Sequence, residues 1–182
     1  FADIAGLLIL IAMEIFKALR YAAQNRILQK KVYLDEATGL PNKNKCEEIL
    51  NNDTFLEDVE TVAVCVFDLN NLRIINNNLG HEKGDEYIRS FAVQLRGAMP
   101  SEHFVGRDGG DEFLAVIRGL EREAVEACLS QVRSQTAEYS ADHPEMPISN
   151  AAGDAGSSDV EYCSMRDLFG QAAKVMYVDE DR

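Results

Sequence analysis

Two short apolar runs joined through paired glycines constrain this chain more than any other feature. Phe104-Val105-Gly106-Arg107 and Glu112-Phe113-Leu114-Ala115-Val116-Ile117 flank Asp108-Gly109-Gly110-Asp111. Runs of this kind predict a β-hairpin, with central glycines able to take φ > 0. Upstream, Thr61 to Asp68 reads Thr-Val-Ala-Val-Cys-Val-Phe-Asp. It is rich in β-branched residues and apolar at both parities, the pattern of a strand buried on both faces. A sheet holding this strand beside the hairpin brings the Gly-Gly turn to the strand's acidic end.

Helical spacing fills most of the remainder. Asn42 suits the cap of a short helix reaching about Asn51, and Asn70 to Gly84 is expected to be a polar turn. Asp85 to Met99 predicts a helix with Ile88, Phe91, Ala92 and Leu95 on one face. Helices are also expected over Glu121–Glu138 and Met165–Tyr177, with a strand over Pro147–Ala155. The order is β-α-β-β-α-β with a terminal helix. The expected class is α+β, a ferredoxin-like split core with helices on one face of a mainly antiparallel sheet.

The chain has 182 residues, 46% hydrophobic, enough for one core and an appendage. Its 31 acidic residues against 18 basic ones leave a charge of −13. That balance excludes a nucleic-acid polymer as partner, since such binding rests on excess Lys and Arg. A nucleotide stays allowed, because a metal ion reverses the local sign of a carboxylate site. Cys46, Cys65, Cys128 and Cys163 lack paired ligand spacing and read as free thiols of a reducing compartment.

Residues 1–32 form a connector, separate from a domain over 33–182. The run Ile4 to Met13 is apolar or Gly, shorter than the roughly 20 residues that span a bilayer. Two compatible readings fit. One is a membrane anchor whose beginning lies before Phe1; the other is a dimerising stalk with Ile4, Leu8, Ile11, Ile15, Leu19 and Ala22 at helical spacing. Lys17, Arg20, Arg26, Lys30 and Lys31 against Asp3 and Glu14 give a local +3, leaving −16 for the rest. Basic residues after an apolar run mark the cytoplasmic end of a membrane helix. The domain is thus expected in the cytoplasm, tethered to the inner face of the cell membrane, with a sensor or membrane segment upstream.

Asp68 ends a buried strand, where an unpaired carboxylate is costly. The topology places Asp111 and Glu112 across from it, and three converging carboxylates call for a cation. Oxygen ligands favour magnesium over zinc or copper. Next along the chain, Leu69-Asn70-Asn71-Leu72-Arg73 can wrap N–H groups and a guanidinium around a phosphate. Gly109 and Gly110 let a bulky ligand approach the backbone. A carboxylate-held metal beside a phosphate cradle equips a chain for phosphoryl or nucleotidyl transfer. Taken singly, each piece has a plainer account: a tight turn at 108–111, a helix cap at Asp85, a surface histidine at His81.

Together these residues resemble the GGDEF domain of the diguanylate cyclase family. Gly109-Gly110-Asp111-Glu112-Phe113 is its signature. Asp35 to Asn42 is similar to its opening motif, with Ala37 where Leu is usual, and Ala173 to Tyr177 to its closing helix. Phe67-Asp68-Leu69-Asn70-Asn71-Leu72, Asn76, Gly80-His81 and Gly84-Asp85 fall at the family spacing. The resemblance implies a nucleotide-cyclase or palm-like fold that condenses two GTP into cyclic di-GMP, with release of pyrophosphate, across a homodimer. It implies that Asp68, Asp111, Glu112 and the Leu69 carbonyl hold two Mg2+ ions per site, or Mn2+. It further implies that Glu112 takes the 3′-hydroxyl proton and that Arg73 steadies phosphate charge. Asn76 and Asp85 would read guanine with His81 nearby, while Leu72, Gly109 and Gly110 line the nucleotide.

The chain also departs from the family pattern. Pro100 and His103 replace the Arg-x-x-Asp element of product inhibition, so that inhibition is expected to be absent. Glu180 stands where a phosphate-contacting Lys is common, and a second basic residue would fall beyond Arg182. Asp154 and Ala151 stand at positions usually apolar and Ser. The alternative reading is accordingly a catalytically weakened domain that binds GTP as a regulatory or interaction module.

Overall fold

The computed structural model describes residues 2–57, 59–159 and 164–180. The central strand β1, Val62–Leu69, is buried without a break from Val62 to Phe67. It lies in a four-stranded sheet with β2 (Phe104–Arg107), β3 (Glu112–Arg118) and β4 (Asn150–Gly156), in the order β2-β3-β1-β4. Every pairing is antiparallel. The chain is α+β with the split β-α-β order expected from its sequence.

Alternation along β1 explains why it is apolar at both parities. Ala63, Cys65, Phe67 and Leu69 join one core, and Val62, Val64 and Val66 another. Helices α4 (His81–Ala98) and α5 (Arg122–Asp142) supply Phe91, Leu95, Val125 and Leu129 to the first. Phe91 meets Phe67 and Phe113 edge-on, at 6.1 and 4.9 Å between ring centroids. Helices α2 (Lys43–Leu50) and α6 (Met165–Glu180) supply Cys46, Ile49, Leu168 and Met176 to the second. Helices therefore cover both faces, not the one expected. A second cover is what two apolar faces demand, and the terminal helix provides most of it. Its approach is close: a Cβ on Gly153 of β4 would overlap the Ala172 carbonyl oxygen and the Met176 nitrogen.

Two local expectations are corrected. The segment 70–84 is not a polar turn. Leu72–Leu79 forms helix α3, and α4 begins at His81. Three consecutive asparagines lower helix propensity there, but Leu72 is buried and Ile75 packs on the core three residues on. The hairpin glycines also differ from expectation. Positive φ occurs at Gly39, Gly80 and Gly119, and not at Gly109 or Gly110. The connection is a four-residue loop, closed where the Glu112 carbonyl accepts from the Asp108 and Gly109 amides at 2.9 and 3.3 Å.

Helix α1 runs Ala2–Tyr33 and stops where the turn chemistry of 35–42 begins. Asn42 then caps α2, its side chain accepting from the Lys45 amide. Leu8, Ile11, Ile15 and Leu19 of α1 are all exposed. Among the described residues, no helix is long and apolar enough to cross a membrane. Cys46 and Cys65 are free and buried, and Cys128 is free and half-buried. Burial pushes the Cys46 thiol up to about 12 and raises Cys65 as well. Cys163 lies outside the described residues.

Candidate active site

The acidic end of β1 meets the start of β3 in register. Asp68 and Glu112 are directly paired across the two antiparallel strands. Both stand at the parity of Val66 and Leu114, on the α2–α6 side. The next residue, Leu69, donates its amide to the Asp111 carbonyl at 3.0 Å. Asp111 thus sits in the bend before β3, tied to the strand that carries Asp68. Among the described residues, no group of three or more His, Cys, Asp or Glu side chains stands close enough to hold a metal ion. Asp111 lies in a bend, outside the register that aligns Asp68 with Glu112.

Gly109 borders this edge. A Cβ there would fall 2.8 Å from Glu112 Oε2, so only glycine leaves the carboxylate its present position. Gly110 has nothing within 4 Å of the place its Cβ would take, leaving the loop open on that side. Asp108 is buried, and its Oδ1 has no hydrogen-bond partner. Burial, then the nearby Glu47 charge, pushes its carboxyl above the ordinary range.

Helices α3 and α4 carry the remaining expected residues. Asn71, at φ +66°, turns the chain from β1 into α3 and places Arg73, exposed, in its first turn. Gly80, at φ +88°, ends α3 and opens α4. His81 and Asp85, both exposed, fall in the first two turns of α4. Asn76 comes to them through Gly84: a Cβ on Gly84 would overlap the Asn76 amide oxygen. The structure thus seats Asn76 against the backbone that precedes Asp85.

Arg107 is a residue that sequence reasoning missed. Its Nη1 lies 3.1 Å from both carboxylate oxygens of Asp35, and its Nη2 donates to the Gly110 carbonyl at 2.7 Å. Its own amide bonds the Pro41 carbonyl at 2.8 Å. The opening motif is thereby fastened to the Gly-Gly loop. Burial pulls the Asp35 carboxyl up, but hydrogen bonds from Thr38 and Arg107 outweigh it and hold the group below its ordinary range. A polar cavity of about 310 Å³ lies beside this clamp, lined by Asp35, Asn42, Lys43, Asn44, Arg107 and Gly109. The signal was available, since Arg107 directly precedes the loop and Asp35 opens the matched motif.

The fold and this edge define an α+β domain of split β-α-β type, with an acidic strand end beside a glycine loop. The chain belongs to the GGDEF domain family: the family model described as "Diguanylate cyclase, GGDEF domain" matches residues 32–182. Over 158 residues it is 28% identical to the diguanylate cyclase DgcS of Shewanella oneidensis, covering 86% of this chain and 52% of that protein. Over 98 residues it is 31% identical to the cyclic di-GMP phosphodiesterase PdeR of Escherichia coli, covering 54% of this chain and 15% of that protein. The chain therefore spans about half or less of these relatives. Among solved structures, the coiled coil and GGDEF domain of DgcB from Caulobacter crescentus, in complex with c-di-GMP, superposes with a TM-score of 0.80 at 17% identity. That likeness covers 94% of this chain and 92% of the other, and it shows the fold.

Proposed function

We propose that this domain is a diguanylate cyclase, joining two GTP into cyclic di-GMP with release of two pyrophosphates. The observation that carries the reading is the in-register pairing of Asp68 with Glu112 beside Gly109. The donor set fits a hard divalent cation, being all carboxylate and carbonyl oxygen. Asp68, Glu112, Asp111 and the Leu69 carbonyl would hold Mg2+, or Mn2+ in its place, at two ions per site. Magnesium takes one or two carboxylates plus substrate phosphates more readily than a closed protein cage. An acidic strand edge of this kind is therefore suited to it. When bound, the metal neutralises phosphate charge and polarises the reacting oxygens.

In each half-reaction a 3′-oxygen bonds to the α-phosphorus of the second GTP, and the bond from that phosphorus to the bridging β-oxygen breaks. Glu112 accepts the 3′-hydroxyl proton, and the leaving pyrophosphate carries the bond's electron pair. Arg73, exposed at the start of α3, steadies charge on the phosphates. Asn76 and Asp85 bind the guanine edge, with His81 and Leu72 alongside. One domain presents one GTP, so two domains face each other. Helix α1 brings the two copies together through Leu8, Ile11, Ile15 and Leu19, beside a membrane or below an upstream sensor.

A second reading is a GTP-binding regulatory module, favoured by Glu180, which stands where a phosphate-contacting Lys is common. Incubation with GTP and magnesium separates the two. The enzyme reading predicts cyclic di-GMP from the wild type and none from Asp111→Ala; the module predicts bound GTP and no product.

A further inference from the structure

Tyr87 is fully buried on α4, yet its hydroxyl reaches the exit of β1. The β1–β4 ladder ends at the pair Leu69–Asn150. Beyond it the Asn70 amide still bonds the Ser149 carbonyl at 3.0 Å, while the Asn70 carbonyl and the Ser149 amide have lost strand partners. The Tyr87 oxygen joins these two groups. It accepts from the Ser149 amide at 3.0 Å and stands 3.1 Å from the Asn70 carbonyl and 3.2 Å from that of Ser149. A phenol has one proton, which the Asn70 and Ser149 carbonyls both stand within reach to accept. An outer arm, Asn70 Nδ2 to Ser149 Oγ at 3.0 Å, closes the circuit.

The segment 71–79, next along the chain, is fragile by itself. Asn71 holds φ +66°, and α3 is an eight-residue helix containing three asparagines, too short to be stable alone. Helix α4 grips it at both ends from one face: Gly84 seats Asn76 near the end of α3, and Tyr87, three residues on, fixes Asn70 ahead of its start. Burial raises the phenol's pKa, so the donor stays neutral and protonated at working pH.

We infer that Tyr87 is a positioning residue for the nucleotide site, its hydroxyl locking the β1–α3 turn so that Arg73 is held toward a bound phosphate and the Leu69 carbonyl toward the metal ion that would accompany it. The inference rests on the nucleotide reading above.

The test is Tyr87→Phe in the full chain, which removes one hydroxyl and keeps the ring. Amide hydrogen exchange is read at 71–76 and along β1 and β3. Affinity is read with magnesium and 3′-deoxy-GTP, which lacks the attacking hydroxyl and cannot turn over. The expected result is about fivefold faster exchange at 71–76 with β1 and β3 unchanged, and about fivefold weaker binding. Ser149→Ala, which cuts only the outer arm, should shift both readouts the same way by about twofold, and it serves if the first variant fails to fold. Ser90→Ala removes a 2.8 Å bond to Tyr139 elsewhere on α4 and should move neither. Unchanged exchange at 71–76, unchanged affinity, or an equal loss in Ser90→Ala overturns the proposal. A wild-type chain that binds no 3′-deoxy-GTP fails the nucleotide reading and the proposal with it; wild-type binding with unaltered variants fails the proposal alone.

Discussion

Arg107 bonds both carboxylate oxygens of Asp35 at 3.1 Å while its other arm holds the Gly110 carbonyl. The pair spans 72 residues and joins the turn after the N-terminal helix to the loop that precedes Asp111. Leu34 bridges Pro41, and Asn42 bonds the Val32 carbonyl, so the end of α1 is tied into the same turn. The end of α1 and the Gly-Gly loop are thus linked through this clamp.

Asp35 sets the sign of one pH effect. Its folded pKa lies below its unfolded value, so its stabilisation is present at neutral pH. That contribution is lost as pH falls below about 4 through the depressed folded value. Urea unfolding should find Asp35→Asn about 1–3 kcal/mol less stable than wild type at pH 7. The gap should narrow by pH 3. A gap that widens toward acid would mean that the carboxylate is not held by these hydrogen bonds.

Gly84→Ala should separate binding from stability. Alanine is the better helix former by up to about 1 kcal/mol, and the group it displaces is the Asn76 side-chain amide, not backbone. The melting temperature should hold or rise, while affinity for GTP falls about tenfold because the Asn76 amide has been pushed aside. Parallel calorimetry and thermal melts read the two effects; intact binding would remove Asn76 from the guanine site.

Gly153→Ala should do the opposite kind of damage. The new Cβ meets backbone of α6, which cannot rotate away, so the strand and helix must separate. A stability loss of about 3 kcal/mol is expected in denaturant titration. A neutral result would show that α6 does not rest on β4 as described.

The α4–β2 connection predicts how product acts. Pro100 and His103 occupy it, His103 is buried, and Arg96 is committed to the carbonyls of Met99, Pro100 and His103. Among the described residues of this connection, no exposed Arg and Asp stand ready for a guanine. Titration of cyclic di-GMP into a turnover assay should leave the rate unchanged at micromolar product; strong inhibition would contradict this.

Much of the fold was legible because β1 states its own environment. Apolar residues at both parities allow one kind of strand, and Gly-Gly between two apolar runs allows few partners for it. The pairing of Asp68 with Glu112 came from those two signals. The same double-sided apolarity called for helices on both faces, a consequence that the one-face expectation overlooked. Helix α3 was hidden by Asn76-Asn77-Asn78, whose low propensity is overridden by Leu72 and Ile75 on the core and by the grip of α4. The Arg107–Asp35 clamp and the Tyr87 hub each join residues far apart in the chain, and spacing cannot reveal such contacts.

The central claim is that the acidic edge of β1 and β3 performs nucleotidyl transfer between two copies of this chain. The direct measurement is cyclic di-GMP formed from GTP and magnesium by the full chain, monitored across a range of protein concentrations. The account predicts product, a rate per chain that rises with concentration until dimers saturate, and none with Asp111→Ala. GTP bound without product at saturating protein would contradict it.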